Sequence, residues 1–211
     1  MSTVNLRKPA KINLTKGTKV CLTKTAEKTG EAIRYAFTGA NWSCLKNGQN
    51  VDLDSTILMY DENKKLVDKV YFGSLCSRDG STMHSGDDRE GDKFGNDGLD
   101  NEVIRTDFTK LNPKVAYMVS VLNNYTHQSF GAIPNIELRI YTNDSGNKND
   151  VENVLAEYKL DNNGAYEKSQ AIVLGHFYKH NGIWKFSADG LGTTERSIDE
   201  IAHGSALEVL D

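Results

Sequence analysis

The sequence predicts an all-β protein, a β-sandwich of about ten strands with a long acidic ligand-binding loop and a short C-terminal helix. Three observations predict it. Short runs rich in β-branched and aromatic residues recur along the 211 residues at the spacing of sandwich strands. Clusters of Asn, Asp and Gly separate them. Only the C-terminal end carries a helix signature.

The strands are expected in order as follows. KVCLT (19–23) and IRYAF (33–37) come first, then VDLDSTILMY (51–60), which opens with strict alternation. A polar turn, DENKK, leads into VDKVYFG (67–73). After an acidic stretch come EVIRTDF (102–108), VAYMVSVL (115–122), IELRIYT (136–142), VLAEYKL (154–160), QAIVLGHFYKH (170–180) and IWKFSAD (183–189). Asn181-Gly182 joins the last two; both residues accept positive φ, so a tight hairpin is expected. Ser197-Ile198-Asp199-Glu200 matches a capping box, with Ile198, Ile201 and Ala202 as the apolar face of a short helix. Residues 81–101 and 142–153 are expected loops. The segments 57–72 and 138–160 share a strand–turn–strand outline, a hint of two related halves. No composition shift marks a linker, so residues 1–211 are taken as one domain, long enough to build a core without staples.

The net charge of −4 is local. MHSGDDREGDKFGNDGLDNE (83–102) holds seven carboxylates and four glycines against Arg89 and Lys93, a balance of −5 that leaves the rest of the chain near +1. No basic stripe suggests nucleic acid, and no apolar run approaches the ~18–20 residues that span a bilayer. The N-terminal residues lack the apolar stretch of a signal peptide, so a cytoplasmic protein is expected. Cys21, Cys44 and Cys76 form no C-x-x-C pair and are expected to be small buried hydrophobes.

The acidic stretch asks for a reason. Aspartate is depleted in strands, yet Asp52 and Asp54 share one strand face, about 7 Å apart at ~3.3 Å per residue, with Val51, Leu53 and Ser55 on the other. Calcium takes about six to eight oxygens at ~2.3–2.6 Å in flexible geometry. Residues 86–102 supply such parts: Gly86, Gly91, Gly95 and Gly98 for bending, Asp87, Asp88, Glu90, Asp92, Asp97, Asp100 and Glu102 as acids, Asn96 and Asn101 as neutral oxygens. No register fits an EF-hand, soft ligands for zinc are few, and so oxygen-rich a loop suits calcium better than octahedral magnesium. The residues leave two readings open, a calcium site and a solvated acidic loop. His84 can orient a ligand carboxylate or be a plain loop histidine.

The order N-V-D-L-D, then D-G-S-T-M-H-S-G-D-D-R-E-G, then N-D-G-L-D-N-E resembles the TerD-type tellurium-resistance and stress proteins. That family's pattern is a D-L-D strand, then H-x-G-D-N-x-T-G, then G-D-G-D-D-E. KINLTKGTKVCLTK, SFGAIPNIELRIYTNDSG and IVLGHFYKHNGIWKFSADGLG extend the likeness over most of residues 11–192. The resemblance implies a calcium-binding β-sandwich from a bacterial stress operon, associated with tellurite resistance, with other operon proteins as partners. It places Asp52 and Asp54 on D-L-D, Asp87 and Asp88 on the D-N pair, and Asp97, Asp100 and Glu102 on the last acidic cluster. Together with the nine clustered carboxylates it implies two calcium ions. Asp88 and Glu90 stand where the family has Asn and Thr, and residues 92–99 form a longer spacer, so this is a divergent member.

His176 and His180 lie ~13 Å apart on a strand, too far to share an ion. Trp42 and Trp184 are expected in the core. No nucleophile elbow or phosphate-binding loop is present. The acids are too many and too clustered for their pKa values to be pushed apart into catalytic roles. The expected protein is therefore a binding or scaffold module with no catalysis of its own. The competing classes are a calcium-dependent glycan or nucleotide binder, which would show exposed aromatics beside the ion, and a metal-assisted hydrolase.

Overall fold

A computed structural model describes residues 34–45, 47–93, 98–128, 130–160 and 166–210, and the main chain of 19–20. Eleven strands occur among the described residues: β1 (Lys19–Val20), β2 (Tyr35–Asn41), β3 (Leu53–Tyr60), β4 (Leu66–Val70), β5 (Thr82–His84), β6 (Glu102–Asp107), β7 (Tyr117–Asn124), β8 (Glu137–Asn143), β9 (Asn153–Lys159), β10 (Ala171–His180) and β11 (Ile183–Thr193). They form two antiparallel sheets, ordered β1-β11-β10-β7-β3-β4 and β5-β6-β2-β8-β9. The two halves with a shared outline are the edge hairpins of opposite sheets, β3–β4 and β8–β9.

The expected strands thus occur, with ends shifted by a few residues; positions 21–23 and 33 lie outside the described residues. β5 is the strand that pattern alone missed. It falls inside the expected loop 81–101, is three residues long, and pairs with β6 through Thr82↔Thr106 and His84↔Ile104. Three residues cannot display an alternation, so nothing local marks it. The Asn181-Gly182 turn closes β10 on β11 with φ of 52° and 79°.

Apolar side chains meet between the sheets. Ile57, Met59, Phe177 and Phe186 pack with Ala36, Ile104, Ile140 and Ala156 in one cluster. Leu53, Leu122 and Ile172 pack with Trp42, Ile136 and Leu138 in another. The outer face of the six-stranded sheet is covered too. α1 (Ile198–His203) and α2 (Ser205–Glu208) lay Ile201, Ala202 and Ala206 over Leu58, Tyr60 and Val121, and the Tyr60 hydroxyl donates to the Ala202 carbonyl at 2.8 Å. The capping box starts α1: the Glu200 N–H donates to Ser197 Oγ and the Ser197 N–H donates back to Glu200 Oε2. All eight positions of β3 are buried.

Trp42 is fully buried, while Trp184 is partly buried and packs on Phe108 with ring centroids 5.3 Å apart. His176 Nδ1 sits 2.7 Å from Asp189 Oδ2, and His180 is exposed, so the two histidines share nothing. The expectation of buried cysteines fails at Cys76, which is exposed beside the short β5 pairing, and Cys44 is half-buried. No helix among the described residues is long and apolar enough to cross a membrane.

Candidate metal centre

The site grows from the free end of β3. β4 pairs only with residues 57–60 of that strand, so the earlier residues leave one edge uncovered. On the other edge Asp54 faces Asn123 of β7, whose Nδ2 donates to Asp54 Oδ2 at 3.1 Å. Asp52 precedes the strand and is fixed by its main chain: the Tyr125 N–H donates to its carbonyl, and its own N–H donates to Thr126 Oγ1. Asp87 arrives from the acidic loop. Asp52, Asp54 and Asp87 then place carboxylate oxygens within 4.8 Å of one another.

This trio is electrostatically costly. Asp54 is 2% exposed. Burial, with Asp52, Glu102 and Asp87 nearby, pushes its carboxyl up to about 8 from 3.8, despite the Asn123 hydrogen bond. Asp52 is less deeply set and rises to about 6, again mainly through burial and then Asp87. The expectation that clustering would hold these acids together in pKa is overturned, because they sit at different depths. Asp52 Oδ1 and Asn123 Oδ1 are buried with no hydrogen-bond partner. Oxygens that share one calcium ion lie within about 5 Å of each other, twice the usual bond length. Three carboxylates at this separation, one with an orphaned oxygen, fit a calcium ion.

The other acids are engaged elsewhere. Glu102 is fully buried and accepts from the Ser55 N–H at 2.7 Å and the Asp88 N–H at 3.3 Å. His84 is not a loop histidine: it ends β5, is buried, accepts the Gly86 N–H on Nδ1, and brings Nε2 to 3.3 Å from Glu102 Oε2. That contact lacks hydrogen-bond alignment, though it sets the imidazole against a carboxylate. Asp88 Oδ1 accepts the N–H groups of Glu90 and Gly91, forming the loop's own turn. Glu90 pairs with Lys93, while Asp87 of the trio also accepts Arg89 Nε at 2.8 Å. Asp100 pairs with Arg139 at 2.9 Å, and burial raises its carboxyl against that partner's pull.

Asp92, the first residue of the spacer, is tied to the sandwich. The Asp92 N–H donates to the Trp42 carbonyl, and the Cys44 N–H donates to the Asp92 carbonyl. Asp92 also accepts Asn101 Nδ2 at 3.1 Å. Gly91, at φ 69°, passes so close to Trp42 that a Cβ there would lie 2.6 Å from its Cδ1. Gly86 and Gly98 also take positive φ, as the bending role requires. Gly95, Asn96 and Asp97 lie outside the described residues.

Sequence reasoning thus named the three aspartates among its candidates, but not the groups that hold the acids from outside the loop. Asn123 and Arg139 went unnoticed; the Asn-Asn pair that ends the apolar strand VSVLNN was the signal for the first. The second carries no local signal, since its carboxylate partner is 39 positions away.

A β-sandwich that gathers carboxylates from a strand end and an acidic loop defines the class. The TerD domain matches residues 10–204, and the chain belongs to the TerD family. It is 32% identical over 187 residues to the tellurium resistance protein TerD of Alcaligenes sp, covering 86% of this chain and 90% of that one. It is 33% identical over 209 residues to the stress response protein SCP2 of Bacillus subtilis (strain 168), covering 90% and 96%. Among solved structures, a homologue of TerD from Streptomyces coelicolor A3(2) shares the fold with a TM-score of 0.65 at 17% identity, over 81% of this chain and 96% of that one.

Proposed function

We propose that this member of the tellurium-resistance and stress-response family is a calcium-binding module that acts by binding rather than catalysis. One observation carries the reading: Asp52, Asp54 and Asp87 converge within 4.8 Å while an oxygen of Asp52 is buried without a partner. Bringing such carboxylates together is unfavourable unless a cation neutralises them. A bound calcium ion supplies that positive charge and ties the loop to the sheet. Asn123 steadies Asp54, and Glu102 with His84 holds the loop's start. The trio accounts for one ion. The second of two ions would draw on Asp97 and would compete with Arg139 for Asp100.

Family partners in the same stress response would then read the loop's calcium-bound shape. The separated pKa values of Asp52 and Asp54 do not favour a hydrolase, since a bound cation lowers both. Calorimetry with ion counting is expected to show two calcium ions per chain, with one lost in Asp54→Asn. No calcium uptake overturns the reading, and turnover of ester substrates with calcium or magnesium overturns its non-catalytic part.

A further inference from the structure

The surface beside the trio is aromatic. Tyr125 is 60% exposed, although its main chain is hydrogen-bonded to Asp52. Its ring meets Phe72 edge-on with centroids 6.1 Å apart, and Phe72 meets Tyr71 the same way at 5.2 Å. Leu75 beyond them is exposed too. β7 and β4 flank β3 on opposite sides. The Tyr125–Phe72 contact therefore spans the start of β3, the segment that carries Asp52 and Asp54. Arg89, exposed on the loop, is hydrogen-bonded to Asp87.

Ring area left in water beside a polar cluster marks a recognition surface, and tyrosine suits a ligand with one apolar and one wet side. Charge chooses among such ligands. Residues 83–102 carry −5, Asp52 and Asp54 bring it to −7, and two calcium ions leave −3. That excess repels phosphates, sulfates and carboxylates. A neutral ligand with adjacent oxygens is not repelled. It can also help fill the roughly six to eight oxygens calcium takes, which three carboxylates need not satisfy. A pyranose combines these features: vicinal hydroxyls on its edge and a C–H-rich face that lies flat on a ring.

We propose that this face binds a neutral glycan, with vicinal hydroxyls turned to the Asp52–Asp54–Asp87 site and one sugar face on Tyr125. The proposal rests on the calcium reading above. The test uses the full chain, with calcium uptake measured first by calorimetry. Methyl α-mannopyranoside and methyl β-galactopyranoside are then titrated by saturation-transfer NMR, in calcium and in EDTA, with AMP as the anionic aromatic comparator. Binding of at least one glycoside is expected in calcium and lost in EDTA. Tyr125→Ala should weaken it at least tenfold and Tyr125→Phe should restore it, both with unchanged calcium uptake. Calcium uptake with no glycoside binding overturns this inference alone, and no calcium uptake overturns both. Preferential binding of AMP, or a Tyr125-dependent dimer in sedimentation, assigns the face to another occupant and also overturns it.

Discussion

Replacing Asp54 by Asn should make the protein more stable in chelator at pH 8 and less responsive to calcium. The carboxyl of Asp54 rises from 3.8 to about 8 in the fold, chiefly by burial. Its neutral form is therefore the one the fold prefers. Stability from this source is fully present below about pH 4 and is lost as pH rises through 8. One pKa unit corresponds to about 1.4 kcal/mol, so the native state at pH 8 carries a strain of roughly 5 kcal/mol if the site stays dry. Loop opening and water entry reduce that figure. If only about 2 kcal/mol survives, Asp54→Asn in EDTA should raise Tm by roughly 4–8 °C for a chain of this size. The amide still accepts the hydrogen bond from Asn123, so little is lost in exchange. In calcium most of that gain should disappear: the variant should lose at least tenfold in calcium affinity, about 1.4 kcal/mol, and a loss beyond about thirtyfold inverts the order. Paired thermal melts at pH 5, 7 and 8.5, in EDTA and in calcium, make the comparison. A variant less stable than the parent in EDTA at pH 8.5 refutes the argument, because the carboxylate would then be comfortable without a cation.

Three further outcomes are expected. Since Asp54 titrates near 8 and Asp52 near 6, calcium binding at pH 7 should release about one proton, seen by calorimetry in buffers of different ionisation enthalpy; zero release means both acids were already ionised. Asp92→Asn should weaken calcium binding less than Asp54→Asn does, because Asp92 serves Asn101 and the Trp42 main chain rather than the trio; a larger loss, measured side by side, would make the spacer a binding loop of its own. Gly91→Ala should lower Tm by roughly 4–16 °C, from about 2–4 kcal/mol of left-handed strain plus overpacking against Trp42; an unchanged melt would mean the loop does not press on that ring.

What could be read from the sequence was whatever a short window contains. The strands around Phe37, Ile57, Val119, Ile140 and Phe177 announce themselves by side-chain type, and the Ser197–Glu200 cap by spacing alone. Asp52 and Asp54 stood out because two aspartates on one strand face break a propensity. Depth was not legible. Nothing local tells that Asp54 is buried, because Asn123 and Asp87 reach it from distant segments. Nor could the loop be divided into its trades. Asp87 joins the strand acids, Asp88 builds a turn, Glu90 and Asp100 take cationic partners, and Glu102 serves main-chain amides. Those assignments depend on Ser55 and Arg139, which reach the loop only after the chain has folded.

Glu102 has a mechanical consequence. It stands on β6 in one sheet, yet its carboxylate satisfies the Ser55 amide at an uncovered edge of the other sheet and the Asp88 amide in the loop. A buried amide without that acceptor would be left unsatisfied. The carboxylate therefore works like the slider of a zip between the two sheets, and the acidic loop is the tab attached to it. Lifting the loop unseats one of the slider's holds and loosens the seam at that end of the sandwich. Events at the loop are then felt as the gape between sheets, and slowed hydrogen exchange at the Ser55 amide, well inside the fold, becomes the gauge of whether the loop is down.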